Sequence, residues 1–114
     1  MPVLVEQDPS LVDSLVRAMP TGSHAVASTD RAVAWLDQHQ DEYVVALGPT
    51  VDLGAALATA EELRIKRPTV SVVLVRHQFD TEVLTRAMHA GIRDVVVAGG
   101  DEKALTSAVE RAHQ

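Results

Sequence analysis

Five short valine-rich runs, each followed by a stretch of helical period, constrain this chain more than any other feature. The runs are Val3-Leu4-Val5, His24-Ala25-Val26-Ala27, Tyr43-Val44-Val45-Ala46-Leu47, Val70 to Val75, and Val95-Val96-Val97. Continuous β-branched runs suit strands covered on both faces of a parallel sheet, which have no polar face to alternate with. Between them, apolar residues recur three and four apart. They are Leu11, Val12, Leu15, Val16 and Met19, then Ala32, Val33 and Leu36, then Leu53, Ala56, Leu57, Ala60 and Leu63. Val83, Leu84, Ala87 and Met88 follow, and Leu105, Ala108, Val109 and Ala112 complete the series. Each set is the stripe of a helix packed on one side of a sheet. Asp8, Asp30, Asp52, Asp80 and Asp101 stand just before the stripes, where a carboxylate accepts from an unpaired amide and meets the positive end of the helix dipole. Pro9 opens the first helix, Gly91 closes the fourth, and Pro20 and Pro68 mark the ends of the first and third. The expectation is a three-layer α/β domain of (βα)5 type, formed by residues 1–114 as a single unit.

Composition removes several functions. At 114 residues the chain can bury a core without covalent staples. It has no cysteine, which excludes disulfides, thiolate metal sites and thiol nucleophiles. Ten Lys and Arg against 16 Asp and Glu give a formal charge of −6, which argues against nucleic acid and anionic membrane surfaces as partners. No apolar run approaches the ~20 residues of a membrane span, and no charged-then-apolar leader opens the chain. A cytoplasmic protein without direct membrane insertion is expected. Neither a P-loop nor a dinucleotide fingerprint occurs, the five histidines share no ligand spacing, and no serine sits in a nucleophile elbow.

Ligands of open parallel sheets sit at the carboxyl ends of the strands. Those positions hold Glu6, Gln7 and Asp8, then Gly48 and Pro49, then Arg76, His77 and Gln78, and finally Ala98, Gly99 and Gly100. Gly99-Gly100 reads as a turn and His77 as a loop histidine. Glu6 and Asp8 are weak candidates for a divalent cation, because two carboxylates lack the further oxygen ligands such ions take. No metal and no cofactor are expected. Arg76, at the mouth, is a candidate to neutralise Glu6 and Asp8 through its guanidinium fork.

The length, the element order and the stretch Ala90-Gly91-Ile92-Arg93-Asp94-Val95 resemble a response-regulator receiver domain, of the CheY-like, flavodoxin-like kind. The resemblance implies strand order 2-1-3-4-5. It also implies a pocket with an acidic pair, a phosphoacceptor Asp, a Ser/Thr and a Lys before a cis-Pro. In this chain those places fall on Glu6-Gln7 with Asp8 beside them, on Leu47 or Gly48, on Val75 or Arg76, and on Ala98-Gly99. Neither Leu47 nor Gly48 can attack a phosphodonor, and Ala98 supplies no ammonium. Asp52, the nearest carboxylate, is assigned to a helix cap. The pocket reads as degenerate and the chain as no enzyme.

Ala46-Leu47-Gly48-Pro49 and the segment Leu84 to Val95, with its Ala87-Met88-x-Ala90-Gly91-x-Arg93-Asp94 core, are similar to the N-terminal atypical receiver domain of the CpaE/TadZ family. Some actinobacterial members are called septum-site-determining proteins. The resemblance implies that the chain is the N-terminal part of a longer protein whose C-terminal MinD/ParA-like ATPase helps place Tad/Flp pilus assembly. Recruitment to a cell pole or septum would follow. For the domain itself it implies dimerisation or partner binding through the face of the fourth helix, fifth strand and fifth helix. Leu84, Met88, Ile92, Arg93 and Val96 are the candidates, with Arg86, Asp94 and Glu110 at the rim. Two alternatives stand beside this. One is a receiver in a phosphorelay with an unconventional acceptor. The other is a small-molecule sensor using the space between Gly48, Arg76 and Gly99.

Overall fold

The computed structural model describes residues 2–19, 23–42, 44–98 and 102–113, and for residues 102, 103, 112 and 113 the backbone alone. The strands are β1 (Val3–Val5), β2 (His24–Val26), β3 (Val44–Leu47), β4 (Ser71–Arg76) and β5 (Asp94–Val97). The helices are α1 (Pro9–Arg17), α2 (Thr29–Gln38), α3 (Leu53–Lys66), α4 (Thr81–His89) and α5 (Glu102–His113). All the strand pairs are parallel, and the sheet runs β2-β1-β3-β4-β5, the order that the receiver resemblance implies. Pairing Val5 with both Val26 and Leu47 brings the ends of β1, β2 and β3 together at one edge of the molecule.

Strand alternation divides the core into two layers. Val3, Val5, Val45, Leu47, Val72 and Leu74 point to one face and pack with buried residues of α2, α3 and α4. Leu4, Val44, Ala46, Val73 and Val75 point to the other and pack with Leu15 of α1 and with Leu105, Ala108 and Val109 of α5. The three central strands are almost wholly withdrawn from water, which is why they read as unbroken apolar runs. Each fully buried valine or leucine contributes about 1.5–3 kcal/mol of transfer free energy.

Capping follows the expectation in three helices. Asp8 accepts from the Ser10 amide, Asp52 from the Ala55 amide and Asp80 from the Val83 amide. It departs from it in α2, where Ser28 is the cap and accepts from the Arg31 amide at 3.3 Å. The helix starts two residues earlier than Asp30 would require, because a serine hydroxyl serves equally well. Asp30 then lies in the first turn, where its charge still meets the helix dipole. Asp101, Pro20, Tyr43, Gly99 and Gly100 lie outside the described residues.

The end of α4 explains the Ala-Gly-Ile string physically. Gly91 has φ +89°, the left-handed conformation, and its amide donates to the Met88 carbonyl. The Ile92 amide reaches back to the Ala87 carbonyl at 3.0 Å, which completes a Schellman stop with Ala87 and Ile92 packed together in the core. Ile92 is therefore 3% exposed and belongs to the interior, not to the docking surface the sequence suggested. Val96 is corrected in the same way. Its place in β5 turns it toward α5, where it packs beside Leu105 and Val109.

Candidate functional site

The carboxyl end of β1 delivers Glu6 into the space between β1 and β3, and there it is 2% exposed. Its carboxylate accepts three hydrogen bonds. The Asp8 amide donates to Oε2 at 2.9 Å, the Thr50 amide to Oε1 at 3.1 Å, and the Thr50 hydroxyl also to Oε2. A buried carboxylate needs donors in place of water, and the loop from β3 to α3 supplies two of them. That loop is shaped to do so: the Gly48 amide donates to the Val5 carbonyl at 2.8 Å, and the Val51 amide turns back to the Gly48 carbonyl.

Gly48 is the complement of Glu6. A Cβ at position 48 would fall on Glu6 Oε1, 2.7 Å from the Val5 carbonyl oxygen and 3.0 Å from Glu6 Cβ. Two of those three obstacles are side chain and one is fixed backbone. The place that the receiver resemblance assigns to the phosphoacceptor therefore holds Gly48, with no room for a side chain, or Leu47, which is fully buried in the core.

Arg76 does not neutralise the acids. Its Nη1 donates to the Val51 carbonyl at 2.6 Å, and among the described residues it forms no ion pair with Glu6 or Asp8. It reaches the same β3–α3 loop that Glu6 holds, so β1 and β4 clamp that loop from two sides. Asp8 is committed elsewhere as well. It accepts from the Ser10 amide and hydroxyl at 3.0 and 2.9 Å, and these bonds, the hydroxyl's first, hold its carboxyl below the usual range. Exposed His77 lies close enough to add a smaller push in the same direction. Gln7 is exposed, and Ala98 is tied by its amide to the Arg76 carbonyl at 2.7 Å.

A receiver's Mg²⁺ does not fit these residues. Glu6 already takes three protein donors, Asp8 caps α1, and no group of three or more His, Asp or Glu among the described residues is placed to hold a metal. The small-molecule pocket imagined between Gly48, Arg76 and Gly99 is also narrowed. Glu6 sits over Gly48 and Arg76 turns to Val51, while Gly99 lies outside the described residues. Thr50, the residue that makes the difference, carried no local signal, since its partner lies 44 positions away. The one hint was the glycine at the end of β3.

On the face of α4, β5 and α5, Leu84, Met88 and Val97 are exposed, Met88 by 61%. Arg93 and Arg86 are exposed too. Phe79, Asp94 to Val97, Ser107 and Arg111 line a groove of about 500 Å³ there, with Arg111 paired to Asp94 across it.

No family model matches the chain, and no curated protein matches it. Solved structures do. The chain is similar to the signal receiver domain of the response regulator NarL from Mycobacterium tuberculosis, with 17% identity and TM-score 0.79 over 98% of this chain and 94% of that one. It is similar to TadZ, a CheY-like protein of Pseudomonas aeruginosa, with 27% identity and TM-score 0.75 over 98% and 91%. A protein of Burkholderia pseudomallei described as pilus assembly-related matches at 23% identity and TM-score 0.79, over 98% and 87%. The chain thus has the receiver, or CheY-like, fold across nearly its whole length.

Proposed function

We propose that this chain is a receiver-fold interaction module that neither accepts a phosphoryl group at the end of β3 nor catalyses a reaction. The observation that carries this reading is the packing of Glu6 into the space a side chain at position 48 would need. A receiver works because acceptor carboxylate, metal and lysine converge on one oxygen-lined pocket. Here the corresponding volume is filled by a carboxylate that bonds to the neighbouring loop. Incubation with acetyl phosphate and Mg²⁺ followed by intact mass tests it. The mass should stay unchanged, and a stable gain of about 80 Da, one phosphoryl group, would overturn the proposal.

Docking is what remains for such a domain. The exposed Leu84, Met88 and Val97 beside the β5 groove favour contact with a second copy or a partner protein through α4, β5 and α5. The likeness to TadZ and to the pilus assembly-related protein supports a place in pilus assembly, and the sequence resemblance to the CpaE/TadZ family extends this proposal to the amino-terminal module of an ATPase recruited to a pole or septum. No helix among the described residues is long and apolar enough to cross a membrane. A fluorescent fusion of the domain that stays diffuse, while the full-length protein forms foci, would remove the localising role from this module.

A further inference from the structure

The opposite end of the sheet holds a second concavity, of about 280 Å³, between the last turns of α3, the start of β4 and the turn that leads from α4 into β5. Its apolar floor includes Val70 and Val72, both buried. Its polar lining is Arg64, Arg93 and Ser71, each a hydrogen-bond donor.

Most of the hydrogen-bonding capacity of those donors is open to a ligand. The chain carries 16 Asp and Glu, yet among the described residues neither arginine forms an ion pair. Arg64 makes one long bond, 3.3 Å from Nη1 to the His89 carbonyl, and its other N–H groups are uncommitted. The side chains of Arg93 and Ser71 have no hydrogen-bond partner among the described residues. Asp94, the acid next in sequence to Arg93, is turned to Arg111 on the other side of β5.

The backbone brings both residues to this concavity. The Arg93 amide donates to the Val72 carbonyl at 2.8 Å, which anchors that residue at the sheet's end. Gly91 lets the Arg64 stem lie across the turn, because a Cβ there would come within 2.9 Å of Arg64 Cδ. Two arginines and a serine thus line a concavity with two valines in its floor. From this we infer that the concavity binds a phosphate monoester, its oxygens held by Arg64 and Arg93 and its organic part resting on Val70 and Val72. Planar guanidinium groups match phosphate oxygens two at a time, which a lone surface charge does not.

The site is distinct from the Glu6 pocket, so its failure leaves the proposed function standing. Nitrogen-15 NMR titrations at constant ionic strength test it, with inorganic phosphate, phenyl phosphate and a capped phosphoserine peptide as probes. The signals of Ser71, Gly91 and Arg93 and the Arg64 side chain should shift, with phenyl phosphate or the peptide binding more tightly than inorganic phosphate. A preference for phenyl phosphate identifies a small organic phosphate, and a preference for the peptide identifies a phosphorylated protein segment. Arg93→Gln should weaken binding about tenfold with the fold intact, the loss of one charge-assisted bond, and Arg64→Gln should act alike. Equal shifts at Arg17 and Arg31, or unchanged affinity in both variants, would overturn the proposal.

Discussion

A carboxylate withdrawn from water must find its hydrogen bonds in the protein, and Glu6 finds two of its three on Thr50, 44 residues away. Thr50→Val should cost about 1–3 kcal/mol in urea unfolding, because it leaves a buried acceptor short of a donor, and Thr50→Ser should recover most of it. Gly48→Ala should cost a similar amount by crowding, about 1–3 kcal/mol, since the Val5 carbonyl cannot retreat without moving β1. Asp8 gives a pH test. Its folded pKa lies below the ordinary 3.8, so its contribution is present above that value and is lost as pH falls through the lower folded one. Asp8→Asn keeps a capping oxygen without a titrating charge, and should flatten this acid limb of the stability curve. The Asp8 cap was legible in the sequence, and the other contacts were not. Residue type and spacing describe neighbours along the chain, whereas Glu6 with Thr50 and Arg76 with Val51 are matches made by sheet pairing.

At the scale of elements, the alternation of valine runs and helical stripes was enough to place all ten, because burial on both faces removes polar residues from the central strands. Two of the readings that failed were at element ends. Ser28 and Asp30 both satisfy the chemistry of a cap, and only the helix start chooses between them. Ser28→Ala should therefore lower stability by about 1 kcal/mol, and Asp30→Ala by a few tenths, as measured by thermal unfolding. Ile92 was misread for a related reason. Named among the apolar residues of the α4–β5–α5 face, it is instead the hydrophobic tail of a Schellman stop and packs in the core. Val96 shows the limit of a short run: Val95, Val96 and Val97 are alike in type, and strand alternation alone sends Val96 to the α5 side and leaves Val97 43% exposed.

For the whole molecule, two core layers around one sheet give a body of 32 × 31 × 26 Å with unequal surfaces. If α4, β5 and α5 form a twofold contact, light scattering should report twice 12.2 kDa at high concentration, and Met88→Glu should restore the monomer without lowering the melting temperature. A monomer at every concentration would direct attention to a different partner. Fold was legible because it rests on repetition, and the pocket was not, because a missing acceptor says nothing about what fills its place. The fit of Glu6 over Gly48 ties two positions of the chain together. A larger side chain at position 48 would collide with Glu6, and a change that removes the Glu6 carboxylate would leave the Thr50 donors unpaired. A substitution at either place alone is therefore a step downhill in stability, and a tolerated change at one calls for a matching change at the other.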